Sequence, residues 1–299
     1  MNIFKRIFKN KKGNQLIEKI MIFGFSVAAG SAVIVYTGNV IIEAKNNGAA
    51  HVAGELGGLT QTIDESQATD GLQYQLNGNT YTVTGYTGTS STVKIPSTHE
   101  GLDVTTIGAS AFRNNGTIKD IEIGYGVKYI GQTAFYNTHL ETIKFPDSVI
   151  ELGDSCLGYC SKLSYFNFPS GVTKIPSGFI SLSYTNDNFI RSLTIPETIT
   201  EIGSSAFSHR TKMAIDRVPR SVTKIGGYAF NSCYAIKTFS IPSSVTYIGA
   251  KTFDYSYSIK TINIEADSDA GWDSNWLGNE WWGNAERRAG LTINYGVSM

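Results

Sequence analysis

From Val93 to Ile264 the apolar residues fall into a motif that keeps returning: two apolar side chains one residue apart, closed by proline. Ile143-Lys144-Phe145-Pro146 and Phe239-Ser240-Ile241-Pro242 are examples. Six of the seven prolines (Pro96, Pro146, Pro169, Pro196, Pro219 and Pro242) end a segment of this kind. Alternation with a period of two predicts short strands with one face buried. Proline is tolerated at a strand end, where its missing N–H leaves no rung unpaired. Between these strands a second motif recurs as Ile107-Gly108, Ile130-Gly131, Leu152-Gly153, Ile202-Gly203, Ile225-Gly226 and Ile248-Gly249, with Ile175-Pro176 in the fourth place. The spacing is nearly constant, and only the step from Ile175 to Ile202 is longer than the rest. Each member is followed by a small residue (Ala111, Ala134, Cys156, Gly178, Ala206, Ala229, Thr252) and a bulky apolar one (Phe112, Phe135, Leu157, Phe179, Phe207, Phe230, Phe253).

Self-similarity at a period of roughly two dozen residues predicts a solenoid of about seven coils over 107–264. One winding cannot bury its own apolar side, so neighbours stack and share a core. The recurrent glycine is expected to permit a tight turn into the Ala-Phe segment. The fourth coil is longer, and its polar surplus, Ser183-Tyr184-Thr185-Asn186-Asp187-Asn188, reads either as a binding loop presenting Tyr184 and Asp187 or as a tolerated surface loop. Asp216 interrupts the apolar column Ile121, Ile143, Phe166, Leu193, Phe239, Ile262. Either Ile215 slips into its place through a bulge, which is the favoured reading, or a carboxylate is partly buried beside Arg217 or Arg220.

The segments around the solenoid follow other patterns. Leu72, Tyr74 and Leu76 alternate up to Asn77-Gly78, and Tyr81 and Val83 follow. That predicts a hairpin with a type I′ turn, so residues 71–106 read as an N-terminal β cap and the Gly-rich stretch 46–70 as a spacer. Ile20 to Ile42 holds no charged residue. A helix over 14–45 carrying that run is long enough to cross a bilayer, since the uncharged part alone rises about 35 Å. All four tryptophans (Trp272, Trp276, Trp281, Trp282) lie in 265–299, which reads as a C-terminal cap or, alternatively, a platform for stacking on sugars.

Charge sharpens this picture. Residues 1–19 carry Lys5, Arg6, Lys9, Lys11, Lys12 and Lys19 against Glu18 alone, leaving 19 basic and 24 acidic residues in the remainder. A mildly acidic body argues against nucleic acid, which is held by clustered cations. Basic residues before an apolar run stay cytoplasmic, which places the body outside the cell. The run reads as an uncleaved membrane anchor, as a signal peptide cut near Ala29–Ala32, or as a third kind of segment described below. Three cysteines (Cys156, Cys160, Cys233) make no disulfide framework and read as packing residues. The four histidines are scattered. No nucleophile elbow, zinc signature or phosphate loop is present, so neither an enzyme nor a cofactor or metal is expected. Asp267, Asp269 and Asp273 match no calcium loop.

The written-out unit, L-x-x-I-x-I-P-x-x-V-x-x-I-G-x-x-A-F-x-x-C, resembles the BspA-like leucine-rich repeats of bacterial surface proteins. The resemblance implies a curved solenoid acting as an adhesin or receptor for host or cell-surface proteins. Separately, Lys11-Lys12-Gly13 followed by Asn14-Gln15-Leu16-Ile17-Glu18 resembles a type IV prepilin leader (residues 1–13). That likeness implies cleavage after Gly13, a free amine on Asn14, and Glu18 pairing with the terminal amine of a neighbouring pilin subunit. The chain departs from that pattern at Asn14 and Lys19. Outward residues of the proline-ended strands then form the expected binding face: Glu122, Lys144, Tyr165, Asn167, Thr194, Arg217, Thr238 and Ser240. A protein ligand is expected there and a glycan is the second class; the alternative role is a structural minor pilin without a ligand.

Overall fold

The computed structural model describes residues 23–27, 31–35, 61–182, 189–269, 271–278 and 290–298. The chain divides into two units, Met1–Thr60 and Gln61–Met299.

In the first unit a single helix over 14–45 is not what the described residues form. Phe23–Val27 and Ser31–Val35 pair as an antiparallel hairpin in the register Phe23 to Val35 through Val27 to Ser31. Phe and β-branched Val and Ile suit a pleated surface better than a helix. Among the described residues no helix is long and apolar enough to cross a membrane. Gly13, Asn14, Glu18 and the rest of the expected membrane run lie outside the described residues.

The second unit is a parallel β-solenoid. Its first strand face, the proline face, stacks Thr92–Ile95, Asp120–Ile123, Thr142–Lys144 and Tyr165–Phe166 in parallel. The face continues with single bridges at Ser192 to Ala214 and Arg217 to Ser240, then with Thr238–Ile241, Thr261–Ile264 and Thr292–Asn294. The second, or glycine, face stacks Thr80–Tyr86, Leu102–Ile107, Tyr129–Ile130 and Glu151–Leu152, and then Lys174–Ile175, Glu201–Ile202, Lys224–Ile225 and Tyr247–Ile248. Stacking therefore begins at Thr92, inside the segment read as the N-terminal cap. The expected hairpin is present, with Leu72–Asn77 antiparallel to Thr80–Tyr86. Its central pair is Gly78-Asn79, and only Gly78 has a positive φ, +64°. That matches a II′ turn, which needs one such residue, rather than the expected I′, which needs two. Gln61–Asp70 docks on the first coils: Ile63 is buried, Ser97 N–H donates to its carbonyl at 2.9 Å and Thr69 N–H to that of Lys94 at 3.1 Å.

A third ladder runs along the turns. The N–H groups of Ser110, Thr133, Ser155, Gly178, Ser205, Tyr228 and Lys251 each donate to a carbonyl of the next coil, at 2.7–3.1 Å. All seven have φ between +53° and +61°. An L-residue pays about 1–2 kcal/mol for that conformation, and the inter-coil bond offsets it. The repeated glycine serves another purpose than the turn first expected of it: it has no positive φ at Gly153 or Gly226. A Cβ there would come well within 3.0 Å of the backbone nitrogen of Gln132 or Ser204 in the preceding coil, so what the position demands is close approach of one coil to the next.

The core is one column of side chains. Phe112 stacks on Phe135 at 5.4 Å, and Phe207, Phe230 and Phe253 continue the stack at 5.4 and 5.6 Å; each such pair adds about 0.5–1.5 kcal/mol beyond its buried area. Ile215 is 6% exposed and Asp216 is exposed. Ser192 faces Ala214 while Ser240 faces Arg217, so one extra residue sits between the two bridges. This is the expected slip. Cys156, Cys160 and Cys233 are free thiols buried as packing residues.

One register needs correction. Leu157 N–H donates to Phe179 O, and Ile180 N–H to Ala206 O. In the fourth coil Ile180 therefore takes the bulky position and Phe179 stands in the column of small residues.

Candidate binding faces

On the proline face the residue between each pair of apolar side chains points outward, as its alternation demands. Lys144, Tyr165, Thr194, Arg217 and Thr238 are exposed, whereas Glu122, Asn167 and Ser240 are half-buried. Glu122 forms an ion pair with Lys94 at 3.0 Å. Asn167 is committed to the fold: its Oδ1 accepts from Phe145 N–H at 2.7 Å and its Nδ2 donates to Phe145 O at 2.9 Å. Ser240 N–H donates to Asp216 O at 2.7 Å. Among the described residues no carboxylate pairs with Lys144, Arg191 or Arg217. Tyr184 and Asp187 lie outside the described residues.

Reasoning from sequence alone passed over the glycine face. Its outward row is Tyr129, Glu151, Lys174, Glu201, Lys224 and Tyr247, the residue ahead of each recurrent Ile or Leu, so the same period could have revealed it. This row largely satisfies itself. Lys174 pairs with Glu201 at 3.1 Å, and the Lys224 ammonium lies 5.7 Å from the centre of the Tyr247 ring.

Both ladders are broken beside the fourth coil. On the glycine face, the glycine N–H elsewhere donates to the preceding coil, as Gly153 does to Ile130 O (2.7 Å) and Gly203 to Ile175 O (2.8 Å). Pro176 has no N–H to offer Leu152 O and carries a ring where even a methyl group would clash. Phe179, too large for its column, packs instead on Phe166 and Phe168 at 5.3 and 5.8 Å. Among the described residues no backbone bond joins Glu151–Leu152 to Lys174–Ile175, and a cleft of about 530 Å³ runs from these strands along the glycine face to Glu201 and Lys224. On the proline face the break falls one coil later, between Tyr165–Phe168 and Arg191–Thr194, with a cleft of about 370 Å³. The turn ladder runs through unbroken, by way of Ser155 to Ser177 and Gly178 to Ser204, both at 2.8 Å.

Titratable groups away from these faces serve the fold. Tyr74 stacks on His99 at 3.8 Å, and His99 Nδ1 lies 2.7 Å from Glu65 Oε1. Burial, followed by the Glu65 charge, pushes Tyr74 up to about 12. Arg210, which the repeat places in one column with Cys160 and Cys233, is fully buried, and burial lowers its guanidinium to about 10. Its Nε donates to Ile180 O at 2.5 Å, but Nη1 and Nη2 have no partner among the described residues. At the C-terminal end Trp276 is 4% exposed and meets Phe253 edge-on at 6.0 Å, while Trp272 Nε1 donates to Val245 O at 3.2 Å. These two tryptophans close the last coil; Trp281 and Trp282 lie outside the described residues. Asp269 accepts from Trp276 Nε1 and from the Tyr295 hydroxyl, both at 3.2 Å, and Asp273 from Asn275 N–H at 2.8 Å.

Stacked coils of near-constant length, with outward polar rows on two parallel strand faces, define a leucine-rich-repeat solenoid. The family model for the BspA type leucine rich repeat region matches residues 86–186 and 181–270 in six copies, and the chain belongs to that family. No curated protein matches. Among solved structures, a leucine-rich repeat protein from Bacteroides ovatus is 19% identical, with 76% of each chain covered and a TM-score of 0.51, a likeness of fold. The T. pallidum leucine rich repeat protein is 18% identical over 77% of this chain and 98% of that one, with a TM-score of 0.44. A leucine rich cell surface protein from Faecalibacterium prausnitzii is 20% identical over 77% and 94%, with a TM-score of 0.42.

Proposed function

We propose that the solenoid is a non-catalytic recognition module on the outside of a bacterial cell, an adhesin that binds a protein ligand through its proline face. The carrying observation is the contrast between the two faces. Lys174 and Glu201, though both reach solvent, pair with each other on the glycine face. On the proline face, beyond the Lys94–Glu122 pair, the exposed Lys144, Arg191 and Arg217 have no carboxylate partner among the described residues and stand beside the exposed Tyr165 and Thr238. Many modest polar contacts around an aromatic anchor suit protein recognition. The basic leader and the apolar run behind it support export, with Gly13, Asn14 and Glu18 as the processing site.

Adherence of cells displaying the full chain tests the reading. Lys144→Glu combined with Arg217→Glu is expected to abolish adherence, while Lys224→Glu on the other face leaves it intact. Equal loss from both would refute a dedicated face. Mass spectrometry of the mature N-terminus addresses display: a chain starting at methylated Asn14 supports leader cleavage, and intact Met1 refutes it.

A further inference from the structure

The cleft on the proline face has walls of a particular kind. Ser164 N–H donates to Glu141 O at 2.9 Å, and Ala214 N–H to Arg191 O at 2.8 Å. The same rung between these two, from Arg191 N–H to Ser164 O, is missing among the described residues. Tyr165–Phe166 pairs with Thr142–Ile143 on one side only, and Ser192 bridges onward to Ala214. Two strand edges thus face a shared cleft that both of them line. Elsewhere on this face at least one backbone bond closes each step.

We propose that this cleft is a docking site for an extended, acidic segment of a partner protein, added as a strand along the free edge at Tyr165–Phe168. The proposal rests on the recognition-module reading and names the class of ligand for it. Unpaired backbone groups at ladder spacing recognise an extended backbone, because only that conformation presents N–H and C=O groups at the same repeat. Tyr165, 49% exposed, stands on one wall as an aromatic surface for an alternate apolar side chain, while on the other wall the Phe189 ring is already met by the Lys162 ammonium, 5.7 Å from its centre. Lys144, Arg191 and Arg217 occur in nearby windings of the same face, where no described carboxylate neutralises them. Acidic side chains on the bound segment supply the complement and steer its approach. The glycine-face cleft lacks this charge, since Glu151 and Asp154 line it together with Lys174 and Lys224.

The test uses the full-length protein and a fluorescein-labelled octapeptide of alternating valine and glutamate, read by fluorescence anisotropy. Saturable binding is expected, weakened at least tenfold by Arg191→Glu and by N-methylation of alternate peptide amides, and unchanged by Lys224→Glu. A circular dichroism spectrum identical to wild type shows that each variant folds. Absence of saturable binding overturns the proposal. Binding indifferent to backbone methylation also does so, because charge alone would then explain it. Cell adherence that survives Arg191→Glu alongside absent peptide binding removes the cleft but leaves the recognition face standing. A chain that adheres to no cell removes the recognition reading itself.

Discussion

Replacing Arg210 by methionine is expected to stabilise the repeat body by about 2 kcal/mol, the balance of a relieved buried charge and a lost hydrogen bond. Burial lowers the guanidinium from 12.5 to about 10. A difference of that size, at about 1.4 kcal/mol per pH unit, means that holding the charge inside costs about 3 kcal/mol at neutral pH. The unfolded chain keeps this proton more tightly than the folded one. Stability therefore rises as pH climbs from about 10 toward 12.5, and below that window the full penalty is present. Methionine preserves an unbranched, polarisable chain among apolar neighbours without the charge. The substitution also removes the Nε donor from Ile180 O, which costs about 1 kcal/mol, and the difference is the net gain. For a body of this size that corresponds to about 4–8 °C in Tm. Differential scanning calorimetry at pH 7 measures it directly. A variant melting at or below the wild-type temperature would refute the reasoning, for it would show that Nη1 and Nη2 are compensated in solution.

Further outcomes follow from the same geometry. Gly153→Ala and Gly226→Ala each place a Cβ within 3.0 Å of a neighbouring backbone nitrogen, and each is expected to cost about 1–3 kcal/mol in urea unfolding; an unchanged midpoint contradicts the close-approach argument. Pro176→Gly restores a donor opposite Leu152 O and is expected to add one slowly exchanging amide at that position in hydrogen exchange, with rapid exchange as the contrary result. The thiols of Cys156, Cys160 and Cys233 are pushed up by burial, Cys233 to about 12, so a maleimide is expected to label none of them until urea unfolds the chain. Burial lowers His209 below its usual 6.5. The unfolded state then binds more protons, stability falls as pH drops below about 6.5, and His209→Gln should flatten that limb of the pH–stability profile.

Much of the fold was legible because the repeat declares itself. A near-constant period fixes which side chains share a column, and columns of Ile, Val and Phe cannot be left in water. Ile143 and Phe239, assigned inward by alternation, are both completely buried. The Ile215 slip was also readable, since a carboxylate in an apolar column is costly and an isoleucine stood next to it. The candidate face was only partly legible. Asn167 shares the polarity of its row-mates, yet its amide is spent on the Phe145 backbone. Polarity tells which way a side chain points but says nothing of what it bonds.

By itself, the sequence determined the stacking: short alternating strands ended by proline, one shared core, and family membership visible in the written-out unit. Only the tertiary structure decided where the stack fails. Pro176 looks like a tolerable exception to a glycine column until the neighbouring backbone is seen to lie within 3.0 Å of a Cβ at equivalent positions. Phe179 falls one residue away from its apparent place because backbone bonds, rather than side-chain size, set the register. Both depend on distances between residues a full coil apart in the chain, which a linear pattern cannot carry.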